Sequence, residues 1–64
     1  SHSTVVREVV DALDTPKYMV CNTELEHFVI VHTPMIDSDE GITLPRRAAE
    51  LLRVDVGSRV RAVL

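Results

Sequence analysis

At 64 residues the chain has room for one small domain and no deep substrate cleft, because so short a sequence buries only about 60% of the surface that its unfolded form exposes. A hydrophobic fraction of 45% and a charged fraction of 27% are ordinary for a folded protein and argue against disorder. The net charge is −3 and is unevenly distributed along the chain, which argues only weakly for a polyanionic partner.

The number of cysteines and the length of the apolar runs indicate the cellular compartment of the protein. The single cysteine, Cys21, cannot form an internal disulfide, and no apolar run has the length of a membrane span or resembles a signal peptide. We therefore expect a cytoplasmic protein with no membrane partner. Ser1 and His2, without an initiating methionine, indicate that residues 1–3 are a tag scar or the cut end of a longer protein.

Residues 4–13 carry apolar side chains at helical spacing, and charged residues take the other side. Ser3 or Thr4 can cap such a helix, and Pro16 can end it. The periodicity favours a helix over 4–13. Because four valines lower the helix propensity, a strand over residues 4–10 is the alternative.

The next two elements are predicted strands. Residues 17–21 form a β-type run, and residues 25–32 form a longer one after a short polar segment, so an antiparallel hairpin is the simplest arrangement. The second run is apolar on both faces in its middle, which predicts a central strand. Pro34 then leaves the strand, and residues 37–41 form an acidic loop.

The last third of the chain predicts strand, helix, turn and strand. Residues 42–44 form a short strand, Pro45 opens a helix over 45–53, and Gly57 supplies the turn before the final strand. The expected buried residues are Ala48, Ala49, Leu51 and Leu52 on the helix and Val60, Ala62 and Leu64 on the strand. The predicted fold is α+β, a small antiparallel sheet or partly open barrel of about four strands with one packed helix.

The residues that could perform chemistry are few. His27 and His32 fall on opposite faces of the predicted strand and cannot share a metal. A nucleophilic pair of Cys21 and His27 would need an orienting group and an oxyanion pocket, for which so small a domain has little space. The acidic loop lacks the glycine and glutamate spacing of a calcium loop. We expect no metal and no cofactor.

Arginines concentrate in the C-terminal part. Residues 41–64 hold five arginines against two acidic residues, whereas residues 1–40 hold eight acidic and two basic residues. This complementarity predicts self-association or a protein partner, with a nucleic acid as the less favoured alternative. The candidate anion or partner contacts are Arg46, Arg47, Arg59 and Arg61.

Residues 41–64 resemble the swapped-hairpin AbrB and MazE-like proteins. The resemblance lies in the register of Ile42, Thr43, Leu44, Pro45, Leu52, Val54, Gly57 and Val60. That resemblance implies a dimeric DNA-binding transcription factor or antitoxin. Ser58 stands where those proteins usually carry aspartate.

A second resemblance covers about three-quarters of the chain. The matching residues are Pro16, Met19, Val20, Cys21, Asn22, His27, Phe28, Gly41, Ile42, Thr43, Leu44, Leu52, Gly57, Arg59, Val60, Arg61 and Leu64. Two residues depart from the family's pattern: Val29 stands where the family has arginine, and Ser58 stands where it has aspartate. In this pattern the chain is similar to the C-terminal β domain of arginine N-succinyltransferase, which transfers a succinyl group from succinyl-CoA to the α-amino group of arginine in bacterial arginine catabolism.

The second resemblance implies that the catalytic and CoA-binding residues lie in an acyltransferase region upstream of this domain, so no catalytic residue is carried over. Whether the chain belongs to an enzyme stays open. The expected function is that of a noncatalytic accessory or interaction domain, and the AbrB-like DNA binder is the alternative.

Overall fold

A computed structural model describes residues 2–64, which form one mixed, open sheet and one short helix. The elements are β1 (His2–Val10), β2 (Lys17–Cys21), β3 (Ile30–Pro34), β4 (Ile36–Ser38), β5 (Gly41–Pro45), α1 (Arg46–Leu52) and β6 (Arg59–Val63). The six described strands lie in the order β3-β2-β6-β1-β5-β4. The pair β1–β5 is parallel and the other neighbours are antiparallel. The α+β class is confirmed, whereas the number of strands and the purely antiparallel pairing were wrong.

The predicted N-terminal helix over 4–13 is wrong, because residues 2–10 form strand β1. β1 pairs with β6 through its first half and with β5 through its second half, and its register shifts between Val6 and Glu8. The extra residue at this bulge places both Val6 and Val9 on the core side. Two inward residues three positions apart imitate the spacing of an amphipathic helix.

The core lies between the inner face of the sheet and α1. Its buried side chains are Val6, Val20, Met35, Ile42, Leu44, Ala48, Leu52, Val60 and Ala62. The predicted helix over 45–53 is confirmed within one residue at each end, with Pro45 extended at its N-cap and Arg53 left-handed at its C-cap. Leu51 does not belong to the buried side, because 44% of it is exposed.

The predicted hairpin of the second and third strands is confirmed, and its details differ. β2 and β3 pair antiparallel, but β3 begins only at Ile30, so residues 22–29 form the connecting loop. β3 is an edge strand and not the central one. Its apolar character on both faces has another cause: Val31 packs on the core, whereas Ile30 points outward and stays exposed.

The acidic segment is the tight connection of a hairpin between β4 and β5. Ser38 lies opposite Gly41, with Asp39 and Glu40 in the turn. Gly41 has φ of 128°, and a Cβ atom placed on it would lie 2.6 Å from the carbonyl oxygen of Val5. Only glycine therefore allows β5 to lie this close to β1.

The final strand follows the predicted alternation. Val60 and Ala62 are fully buried, and Arg59 and Arg61 point outward. The turn before β6 is anchored on the bulge of β1, since Gly57 N–H donates to Val6 O and Val6 N–H donates to Ser58 O. Leu64, expected to point inward, lies past the strand and is 62% exposed.

Candidate functional site

The face of the sheet opposite α1 presents one set of outward side chains from β2, β3 and β6. Because side chains alternate along a strand, the buried positions Val20 and Val60 fix which neighbours point outward. We call this set the outer face: Lys17, Met19, Cys21, Ile30, His32, Arg59, Arg61 and Val63.

The centre of the outer face is apolar. Met19, Ile30 and Val63 are 43%, 52% and 48% exposed, so about half of each side chain meets solvent. Met19 lies opposite Val63, and Cys21 lies opposite Ile30 in the neighbouring row. Directly opposed side chains on one sheet face are in contact range, so these residues form one continuous patch. Contiguous exposed apolar patches mark interaction sites.

The charged members of the outer face are all cations. Lys17 begins β2, and Arg59 and Arg61 alternate with the buried residues of β6. Arg59 donates from Nη1 to the hydroxyl of Ser3 on β1 at 3.5 Å. The outward residues of the three strands include no carboxylate. The surface therefore fits a partner that is apolar at its centre and carries carboxylates around it.

The four candidate arginines do not form one patch. Arg59 and Arg61 belong to the outer face, whereas Arg46 and Arg47 lie on α1, on the other side of the sheet. Arg46 Nη2 lies 3.0 Å from the carboxylate of Asp11. The structure thus brings these arginines together only in pairs.

The cysteine, the histidines and the acidic loop occupy separate places. Cys21 ends β2, His27 lies in the loop before β3 rather than in the strand, and His32 lies in β3. Among residues 2–64, no hydrogen bond joins Cys21 to His27, and no three His, Cys, Asp or Glu side chains gather as a metal site. In the acidic loop, Glu40 pairs with Arg7 at 3.3 Å.

Asn22 is a structural residue whose role the sequence did not indicate. It is 2% exposed, and its Nδ2 donates to the carbonyl oxygens of His27 at 2.7 Å and Leu52 at 3.1 Å. Its Oδ1 accepts from the Val29 N–H at 3.2 Å. The sequence signal for this role was the position of Asn22 directly after an apolar strand. That signal is weak, because asparagine is usually exposed. Asn22 fixes the loop that leads from the outer face to β3.

Comparison with known proteins places the chain in a family. The family model that matches residues 2–63 is the one for the C-terminal domain of the arginine N-succinyltransferase beta subunit. The curated proteins and the solved structures gave no match. Within residues 2–64, no helix is both long and apolar enough to cross a membrane. Since the match runs through nearly the whole length, the chain belongs to the family formed by the C-terminal domains of arginine N-succinyltransferase beta subunits.

Proposed function

We propose that this domain is a noncatalytic accessory module that docks through its outer face onto the acyltransferase region of an arginine N-succinyltransferase. The observation that supports this function is the continuous patch of Met19, Ile30 and Val63 on a sheet face that α1 leaves uncovered. In this proposal the succinyl group passes from succinyl-CoA to arginine at a site on the docked region.

The physical basis of docking is burial of the patch together with charge matching at its border. Covering a half-exposed aliphatic side chain contributes on the order of 1 kcal/mol, so several such side chains support a stable contact. Lys17 and Arg59 at the border of the patch would meet carboxylates of the docked region. Such pairs orient the partner and speed its association more than they add to affinity.

The noncatalytic assignment follows from the chemical character of the outer face. Acyl transfer needs a base to deprotonate the attacking amine and donors that stabilise the tetrahedral oxyanion. Besides aliphatic side chains and the cations Lys17, Arg59 and Arg61, the outer face carries one thiol and one imidazole. Among residues 2–64, no hydrogen bond joins the Cys21 thiol to the His32 imidazole as a nucleophile and its base. These groups suit recognition of a protein surface.

The test is a calorimetric titration of the 64-residue chain into the isolated acyltransferase region of a family member. We expect binding that weakens by about tenfold or more for Met19→Glu and for Ile30→Glu, because a buried carboxylate opposes docking. Val56→Glu is the matched control, since Val56 is 64% exposed and lies outside the outer face. Absence of binding by the unmodified chain, or equal loss in the control, would contradict docking.

The noncatalytic assignment needs its own assay. The 64-residue chain is incubated with succinyl-CoA and arginine, and formation of N-succinylarginine is followed. We expect no product above the uncatalysed rate. Turnover by these 64 residues alone would show that the domain is itself an enzyme.

A further inference from the structure

A groove that shares only Lys17 and His32 with the outer face runs along the free side of β3. It has a volume of about 340 Å³ and lies between β3, α1 and the segment before β2. The consecutive residues Val31, His32, Thr33 and Pro34 all line it. Consecutive residues of a strand point to opposite faces, so a groove lined by four in a row follows the strand edge. We call it the β3 groove.

The backbone of β3 is available for pairing along this edge. Asn22 N–H donates to Val29 O, which marks the pair of residues 22 and 29 as hydrogen-bonded. Hydrogen-bonded and non-hydrogen-bonded pairs alternate along an antiparallel ladder, so the amide groups of Ile30 and His32 point away from β2. β3 has no second strand beside it among residues 2–64. An unpaired edge of this kind is a template for another strand.

The side chains of the β3 groove define what fits into it. The carboxylate of Asp11 is among the lining groups and is paired with Arg46 at 3.0 Å. Leu13, Val31 and Leu51 supply an apolar lining, and Lys17 and Arg47 stand at its border. Neither cation has an ion-pair partner among the residues that the structure describes. The groove therefore suits an apolar side chain that is flanked by carboxylates.

The chain itself carries a segment of this composition. Leu25 is 97% exposed and stands between Glu24 and Glu26 in the loop from β2 to β3. This loop adjoins the Ile30 end of β3, whereas Lys17 and Pro34 lie at the opposite end of the hairpin. Within one copy, the loop that carries Leu25 and the charged border of the β3 groove thus lie at opposite ends of the β2–β3 hairpin.

We propose that two copies of this chain associate through their β3 edges, antiparallel, with Leu25 of each copy inserted into the β3 groove of the other. His32 of one copy pairs with His32 of the second copy about a twofold axis. Ile30 N–H donates to the carbonyl of Pro34 in the second copy, since proline lacks a donor and keeps its acceptor. Glu24 and Glu26 then lie near Lys17 and Arg47 of the second copy. The twofold contact pairs the free β3 edge of each copy and leaves the apolar centre of the outer face uncovered.

Sedimentation equilibrium of the 64-residue chain from micromolar to millimolar concentration tests this association. We expect a monomer–dimer equilibrium whose dissociation constant rises by about tenfold or more for Leu25→Ser, for Leu51→Glu and for His32→Pro. The N–H that His32→Pro removes points away from β2, so the β2–β3 ladder keeps its hydrogen bonds, and circular dichroism checks that the proline ring leaves the fold unchanged. Val63→Glu on the outer face is the control and should leave the dissociation constant unchanged.

Mixing two defective variants gives a second, sharper readout. A Leu25→Ser homodimer lacks both insertions, and so does a Leu51→Glu homodimer. The mixed dimer regains one intact insertion, because the Leu51→Glu copy keeps its Leu25 and the Leu25→Ser copy keeps its groove. We expect tighter association in the mixture than in either variant alone. A monomer at every concentration, or dimerisation that these variants and their mixture leave unchanged, would overturn the proposal, and the outer-face titration would be unaffected.

Discussion

The side-chain amide of Asn22 donates a hydrogen bond to the main-chain carbonyl of Leu52, and this 3.1 Å contact joins the end of β2 to the last turn of α1. The same side chain holds the loop through His27 and Val29. All of its hydrogen-bonding atoms are thus engaged inside the protein. One buried amide therefore positions both the helix end and the loop that presents Leu25.

Replacing Asn22 by alanine should destabilise the fold by about 3 kcal/mol, because buried carbonyl and amide groups lose their partners. Urea denaturation monitored by circular dichroism measures this loss. Thr23→Ala, at the exposed neighbouring position, should change the free energy of unfolding by less than about 0.5 kcal/mol. Equal stability of the two variants would contradict the role assigned to Asn22.

The two glycines should respond differently to alanine. Gly41→Ala should cost about 3 kcal/mol, since its Cβ would collide with the β1 backbone in addition to the strained φ. Gly57→Ala keeps a positive φ of 94° but meets no atom within 4 Å, so only backbone strain of about 1 kcal/mol remains. Thermal unfolding of the two variants, side by side, measures the difference. A larger loss at Gly57 would argue against the close β1–β5 approach.

The adjacent leucines of α1 form a second matched pair. Leu52 is fully buried, and Leu52→Ala should destabilise the chain by about 3 kcal/mol through the cavity it leaves. Leu51→Ala should cost less than about 1 kcal/mol in dilute solution, because nearly half of that side chain already meets solvent. Urea denaturation at low micromolar concentration compares them. The reverse order would mean that α1 is rotated relative to the sheet.

Nucleic-acid binding should be absent even at low ionic strength. The arginine pairs of α1 and β6 lie on opposite sides of the sheet, so one duplex cannot contact both pairs at once. A gel shift across a salt series, with Arg46→Ala and Arg47→Ala as comparisons, measures this. A low-salt shift that these substitutions abolish would favour the AbrB-like alternative.

The C-terminal half of the fold was predictable because its local signals agree. Pro45, the apolar stripe of α1, Gly57 and the alternation in β6 all point to the same elements. β1 was not predictable from periodicity, since the bulge between Val6 and Glu8 sets inward residues at a helical interval. No local signal marks a bulge of this kind, which becomes visible only through the pairing with β5 and β6.

The prediction that β3 is a central strand was wrong for a reason linked to the proposed function. Apolar residues on both faces usually indicate a strand buried on both sides. In β3 the outward Ile30 belongs instead to the exposed patch of the outer face. The arginines were recognised as contact candidates, but the sequence could not show that α1 and β6 place them on opposite sides of the sheet.

Docking through the outer face is tested most directly by methionine oxidation in the presence of the acyltransferase region of a family member. Met19 is 43% exposed at the centre of the outer face, and Met35 is 2% exposed in the core. Mass spectrometry after peroxide treatment reports both rates in one sample. We expect the acyltransferase region to slow oxidation of Met19 by about tenfold and to leave Met35 slow throughout. An unchanged rate of Met19 oxidation at a saturating concentration of the acyltransferase region would contradict docking through this face.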